Sequence, residues 1–328
     1  MRSIEANGLR VSRIGLGTWQ FGSREWGYGE DYAKDVAPAL IRRALELGIT
    51  MIDTAEVYGP AHSERIIGET LTDPSLALPP HERALVTVAT KFMPIAPAEP
   101  ILAWQCAGSR RRLQVDALDL YYAHWPNPFV SPRRVMQAVR PLVAAGLVKR
   151  VAVSNYPLEA WQRAERALGA PVVANQVRFS LVSPGPATEL VPWAASHDRL
   201  VVAYSPLGQG MLSQGLDPNA DPRTVGMRRY MRLEAAEARR LAVIHAVLGD
   251  VARANDASWS QVSLAWVLGH PNTIAIPGAR TIEQLDMNAA AADLVLSDDE
   301  MARLTEASAV SSAGKIGPSA GSGVSGAC

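Results

Sequence analysis

The chain has 328 residues, 48% of them hydrophobic and 20% charged, a balance that supports a large buried core and excludes wholesale disorder. Lysine plus arginine equals aspartate plus glutamate at 32 each, so no global field draws nucleic acid or an anionic membrane, and any phosphate must be held locally. Two cysteines, Cys106 and Cys328, are too few for a disulfide framework, and Met1 to Val11 has no apolar run of leader length, so the expectation is a cytoplasmic protein.

Short apolar runs alternate with longer stretches of helical periodicity, the pattern of repeated strand–helix units around a parallel sheet. Gly8 to Ile14 reads as a short β-hairpin and Arg13 to Gly17 as the first barrel strand, followed by a helix over 33–47 that ends at Gly48. Strands are then predicted over 50–53, 84–90, 118–123, 148–154, 172–175, 200–203 and 273–276. Helices fall between them over 63–71, 98–113, 132–145, 158–168, 188–197, 234–254 and 259–268. A Gly-, Pro- and Arg-rich insertion runs from Ser205 to about Arg232 and carries Arg223, Arg228, Arg229 and Arg232, which read as a solvated basic loop, the competing reading being a loop that closes over a cofactor or attracts an anionic substrate. A final helix spans 298–307 behind Ser297 as N-cap. Eight strands with intervening helices predict an α/β fold, a (β/α)8 TIM barrel with an N-terminal β-hairpin and a C-terminal extra helix. Residues 1–310 form one domain, and the Ser- and Gly-rich stretch 311–328 is expected to be a disordered tail.

In such a barrel, chemistry collects at the C-terminal ends of the strands, where loops from different strands converge. Asp53 ends the second strand, Tyr58 lies in the loop after it, Lys91 ends the third and His124 the fourth. A phenol normally titrates near 10 and donates poorly at neutrality; a neighbouring ammonium, Lys91, is expected to lower the Tyr58 pKa. Asp53 can orient Lys91, and His124 can hydrogen-bond a carbonyl oxygen beside Tyr58. Each residue also has a structural reading, as a strand-end ion pair, a packed loop tyrosine or a satisfied rim histidine. No His-x-His pair stands at a strand end, so no metal is expected.

The segments Met51 to Gly59, Val88 to Lys91 and Leu118 to His124 resemble the three signature segments of the aldo-keto reductases, bacterial NADPH-dependent members included. The likeness extends from Val11 to about Ala307, and the family's Asp, Tyr, Lys and His fall on Asp53, Tyr58, Lys91 and His124. The resemblance implies an oxidoreductase that reduces a small-molecule carbonyl, an aldehyde or ketone, with NADPH and with Tyr58 as proton donor. The reverse alcohol oxidation to give NADPH from NADP+ would use the same groups. It leaves open a catalytically weak, nucleotide-sensing regulatory subunit of the channel β-subunit type.

No Gly-x-Gly-x-x-Gly fingerprint opens a strand–helix unit, so the nucleotide must be bound in another way. The resemblance sets the nicotinamide amide against Ser154, Asn155 and Gln176 and stacks the ring on Tyr204. Ser205 to Leu212, with Leu207, Gly208 and Gly210, resembles the loop that covers the pyrophosphate. Gly278 and Arg280 lead into a helix N-terminus suited to phosphate, and Arg280 can grip a 2′-phosphate, which favours NADP(H) over NAD(H). Relatives contact adenosine at the positions of Gln284 and Asn288, whereas Met287 replaces a glutamate frequent in the family. Trp19, Trp26, Phe92 and Trp125 are expected as an apolar substrate wall, with core packing as the competing reading for Trp26 and Phe92.

Overall fold

The computed structural model of the protein describes residues 1–21, 32–76, 78–213 and 235–312. The chain opens with a hairpin, β1 (Ser3–Ala6) and β2 (Leu9–Ser12), paired antiparallel from Ser3↔Ser12 to Ala6↔Leu9. Its two-residue turn is Asn7-Gly8, both at positive φ (49° and 68°), which matches the twist of the flanking strands. The hairpin expected over 8–14 therefore begins earlier, because Asn-Gly is its turn rather than its first strand.

Eight parallel strands follow: β3 (Leu16–Gly17), β4 (Met51–Asp53), β5 (Thr87–Phe92), β6 (Leu120–Ala123), β7 (Val151–Ser154), β8 (Val172–Arg178), β9 (Leu200–Tyr204) and β10 (Thr273–Ala275). They pair strictly in chain order, and the parallel bridges Ile14↔Ala275 and Gly17↔Gly278 join the first to the last. Gly15 N donates to Ala275 O at 2.8 Å and Gly17 N to Pro277 O at 3.1 Å, which closes the ring. A Cβ at Gly17 would stand 2.7 Å from Ile276 O, so closure at this seam requires glycine.

Two layers of core follow from the period of two along each strand. Inside the barrel, Met51, Ala89, Leu120, Tyr122, Ala152, Ala174, Leu200, Val202 and Ile274 pack on Ala6, Leu9 and Val11 of the hairpin, which stoppers the N-terminal end. Outside, Ile52, Val88, Tyr121, Val153 and Val201 meet the helices. The floor is thus sealed, and the opposite end is the mouth.

The helices lie close to their expected spans, the first opening as a π-helix over Tyr32–Val36 before Ala37–Glu46, with Trp259–Leu268 held by a Ser258/Gln261 capping box and Leu158–Leu168 ended by Gly169 at φ 71°. Strand β5 starts three residues later than expected, since Pro80–Arg83 forms a short helix whose turns hold Leu85 and Val86. The last helix, Asp298–Ser312, runs past the boundary drawn at 310–311. Residues 313–328, and 214–232 of the insertion with its arginines, lie outside the described residues.

One contact between outer helices bears on the site. Glu64, fully buried in His62–Thr72, accepts from Thr90 Oγ1 at 2.6 Å and from Arg112 Nε at 2.6 Å, tying two helices to β5. Gly68 of the same helix lies so close to Glu99–Leu113 that a Cβ would fall 2.2 Å from Arg112 O. Helix propensity favours alanine at such a position by about 1 kcal/mol, yet Gly68→Ala is expected to lower the unfolding free energy by about 1–3 kcal/mol through overpacking. Urea denaturation checks this, and an unchanged or raised midpoint would contradict the packing.

Candidate active site

Period-two alternation turns Asp53, Lys91 and Gln176 into the barrel, one level above the apolar interior. Lys91 Nζ donates to Asp53 Oδ2 at 2.6 Å, to Thr54 O at 2.8 Å and to Tyr58 Oη at 3.2 Å. Gln176 Nε2 donates to Asp53 Oδ1 at 2.7 Å, so both carboxylate oxygens are engaged. Lys91 is fully buried and Asp53 nearly so. Burial pushes the Asp53 carboxyl up and the Lys91 ammonium down, while their mutual attraction opposes both shifts.

Tyr58 is half-buried, with Lys91 Nζ 4.9 Å from its ring centroid. Its pKa is raised well above 10, first by burial of the hydroxyl and then by the Asp53 charge. This runs against the expectation that Lys91 lowers it: burial of the hydroxyl and the Asp53 charge outweigh the ammonium. Tyr58 is therefore a neutral hydroxyl at pH 7, the form that can give up a proton.

His124 meets the Tyr58 ring edge-on, centroids 5.8 Å apart, and stacks on Trp125 at 3.8 Å and 1°. It is buried, and burial followed by repulsion from Lys91 takes its pKa down to about 2. Its Nδ1 is buried without a hydrogen-bond partner. A lone pair left unpaired there costs less than a stranded N–H, so the proton is assigned to Nε2, where it can be donated.

The loop bearing Tyr58 is held from several sides. Thr18 Oγ1 donates to Asp53 O at 2.8 Å and meets Ser63 Oγ at 2.7 Å, and Thr54 Oγ1 donates to Ser63 Oγ at 2.8 Å, all three side chains being fully buried. Glu56 N donates to Lys91 O, and Glu56 Oε1 accepts from Met93 N at 2.7 Å and Gln105 Nε2 at 2.9 Å. Sequence reasoning missed this group, because isolated Ser, Thr and Glu residues carry no signal until the fold brings them together.

Around the rim, Ser154 Oγ donates to Gln176 O at 3.0 Å, Asn155 Nδ2 to Ser154 Oγ at 3.1 Å, and Tyr204 Oη to Asn155 Oδ1 at 3.0 Å. Asn155 and Ser205 adopt positive φ (60° and 49°), as do Gly208 and Gly210 in the loop after β9, which also carries half-buried Leu207. Across the seam, Gly278 is exposed, and Gln284 Oε1 accepts from Arg280 N at 2.8 Å, leaving the Arg280 side chain in solvent. Asn288 is buried with Nδ2 3.4 Å from Gly278 O. Gln284 Oε1 thus helps shape the turn.

The expected substrate wall is only partly assembled. Trp19 and Trp125 stand at the mouth, 47% and 43% exposed, whereas Phe92 is fully buried and packs on Tyr121 at 4.9 Å. Phe92 follows the inward Lys91, so alternation turns it out toward the helices, and it is a core residue. Trp26 lies outside the described residues. Among the described residues no group of three or more His, Cys, Asp or Glu could hold a metal ion, and no helix is long and apolar enough to cross a membrane.

The sequence profile of the Aldo/keto reductase family matches residues 13–309. The chain belongs to that family. It is 45% identical to an uncharacterized oxidoreductase of Mycobacterium tuberculosis across 94% of this chain and 93% of the relative. It is 34% identical to methylglyoxal reductase YeaE of Escherichia coli across 91% and 92%. An aldo/keto reductase of Klebsiella pneumoniae in complex with NADP and acetate is 31% identical and superimposes with a TM-score of 0.69, covering 90% of this chain and 91% of that one. The family match runs through every barrel strand, from the seam at Ile14 to the final helix.

The neutral, buried His124 generates a prediction about acid stability. Its folded pKa lies far below the unfolded value of 6.5, so between those values the unfolded chain binds the extra proton. The contribution is fully present above pH 6.5 and is lost as pH falls. His124→Gln is expected to flatten the fall in unfolding free energy between roughly pH 6.5 and 5 by up to one proton, about 1.4 kcal/mol per pH unit. Identical slopes for both proteins in denaturant titrations would contradict a neutral buried imidazole.

Proposed function

We propose that the protein is an NADP(H)-dependent carbonyl reductase in which Tyr58 gives its proton to the oxygen of an aldehyde or ketone. The observation that carries this reading is the position of Lys91 Nζ, hydrogen-bonded to both Asp53 and Tyr58 Oη at the mouth of the barrel. A substrate oxygen beside Tyr58 Oη would be within reach of His124 Nε2–H, and the two donors together would polarise the carbonyl. As the Tyr58 proton leaves, the growing phenolate negative charge faces the Lys91 ammonium at 3.2 Å, so the ion pair helps most when charge develops. In alcohol oxidation the same groups work in reverse.

When bound, a reduced nicotinamide supplies the hydride. The residues present suit that group. Gln176 has given Nε2 to Asp53 and keeps Oε1 as an acceptor, while Asn155 keeps a second Nδ2 hydrogen, a complementary pair for a carboxamide. Tyr204 offers an aromatic face beside them, and Ser154 holds Asn155 in place. Glycine at 208 is required by its φ of 59° and by Val182, whose Cγ2 would lie 2.8 Å from a Cβ. The Ser205 to Gly210 turn, in which Gly208 N and Gly210 N donate to Ser205 O and Leu207 O, would border a pyrophosphate, and the exposed Arg280, after Gly278, a 2′-phosphate. Asn288, fixed beneath that turn, would border the adenosine end. The NADP complex of the Klebsiella relative and the methylglyoxal reductase of Escherichia coli support this reading. No observation on the described residues favours the regulatory alternative. We read residues 1–310 as the single catalytic domain, cytoplasmic in setting.

Tyr58→Phe is expected to reduce NADPH-dependent reduction of an activated aromatic aldehyde by at least about 100-fold while NADPH still quenches tryptophan fluorescence with near wild-type affinity. Unchanged turnover would remove Tyr58 as the donor. Arg280→Ala is expected to weaken NADPH about tenfold or more and NADH little; equal loss for both would remove the 2′-phosphate assignment.

A further inference from the structure

Arg178 closes strand β8, two residues beyond Gln176. The parallel register pairs Ala174 with Leu200, Gln176 with Val202 and Arg178 with Tyr204. Ala174, Leu200 and Val202 belong to the barrel interior, and Tyr204 packs against it. The alternation that points Gln176 at Asp53 therefore sends Arg178 to the same side, about 6.6 Å higher along the strand, at the level of the mouth. Its guanidinium carbon lies 5.9 Å from the centroid of the Tyr204 ring, and Tyr204 Oη is bonded to Asn155.

Charge balance at the mouth is uneven. Lys91 is matched by Asp53, His124 is neutral and Tyr58 is protonated. Arg178, half-buried, has no carboxylate within ion-pair distance among the described residues; the Tyr204 ring is its contact. An aromatic face supports the cation, and among the described residues no acceptor meets the planar fork of N–H donors. A carboxylate is the group that this fork matches in geometry and charge.

We propose that Arg178 forms a subsite for an anionic group, so that the preferred substrates are aldehydes or ketones bearing a carboxylate away from the reacting carbonyl. This rests on the carbonyl-reductase reading above. The substrate enters with its carbonyl toward Tyr58 and His124 and its carboxylate toward Arg178, and the Arg178–Tyr204 contact holds the guanidinium ready for it. Arg178 takes no part in proton or hydride transfer, so its effect falls on KM more than on kcat.

The test compares kcat/KM for 3- and 4-carboxybenzaldehyde with that for the corresponding methyl esters, which keep the shape and remove the charge. These are measured for the wild type, Arg178→Met and Arg178→Lys, alongside the Kd for NADPH. Expected are a wild-type preference for the acids, a fall in the acid-to-ester ratio of about tenfold or more in Arg178→Met carried by KM, and partial retention in Arg178→Lys. An acid-to-ester ratio that does not respond to Arg178→Met overturns the proposal. So does a loss shared equally by acids and esters and accompanied by weaker NADPH binding, which would assign Arg178 to the cofactor phosphates. If the wild type reduces neither acid nor ester, the reductase reading itself fails, a result distinct from turnover without discrimination.

Discussion

A lysine and an aspartate that meet at 2.6 Å in the centre of the barrel, both shut off from water, constrain most of what surrounds them. Dehydrating two such ions costs several kcal/mol each even after relaxation, and their attraction offsets this only when every remaining donor and acceptor is satisfied. The structure meets that condition with Gln176 from β8, the Thr54 carbonyl and the Tyr58 hydroxyl. The pair thus couples strands on opposite sides of the ring to the loop after β4. The hairpin stopper, the glycine seam between β3 and β10, and the Thr18–Ser63–Thr54 hydroxyl group keep this arrangement dry and fixed.

From that pair follow the states of the neighbours. Burial and then the Asp53 charge keep Tyr58 protonated, and burial followed by repulsion from Lys91 leaves His124 neutral. On the proposed reading, the mouth would present two neutral donors to a carbonyl oxygen over the Lys91 charge, which would act most as phenolate forms. Arg178 lies one layer higher, beside the Tyr204 ring, with no carboxylate within ion-pair distance among the described residues.

Much of this was legible in the sequence, and for a physical reason. Strand ends are marked where an apolar run meets a polar residue, so Asp53, Lys91 and His124, with Tyr58 in the loop after Asp53, could be placed at the mouth from pattern alone. Alternation was the signal left unused: it would have turned Phe92 outward after Lys91 and drawn Arg178 inward after Gln176. The Asn7-Gly8 turn was likewise written in the chain. What the sequence did not carry was three-dimensional: the sharing of Gln176 between Asp53 and the rim, the hydroxyl group around Ser63, and the upward shift of Tyr58, which follows first from its burial and then from the Asp53 charge.

The account stands on Lys91 as the charge that couples Asp53 to Tyr58. The most direct test is the NADPH oxidation rate of Lys91→Met with an activated aromatic aldehyde, measured beside its circular dichroism and NADPH affinity. Turnover reduced by about 100-fold or more, in a folded protein that still binds NADPH, is the predicted result. Turnover close to that of the wild type would contradict the account, because the buried pair would then serve the fold alone.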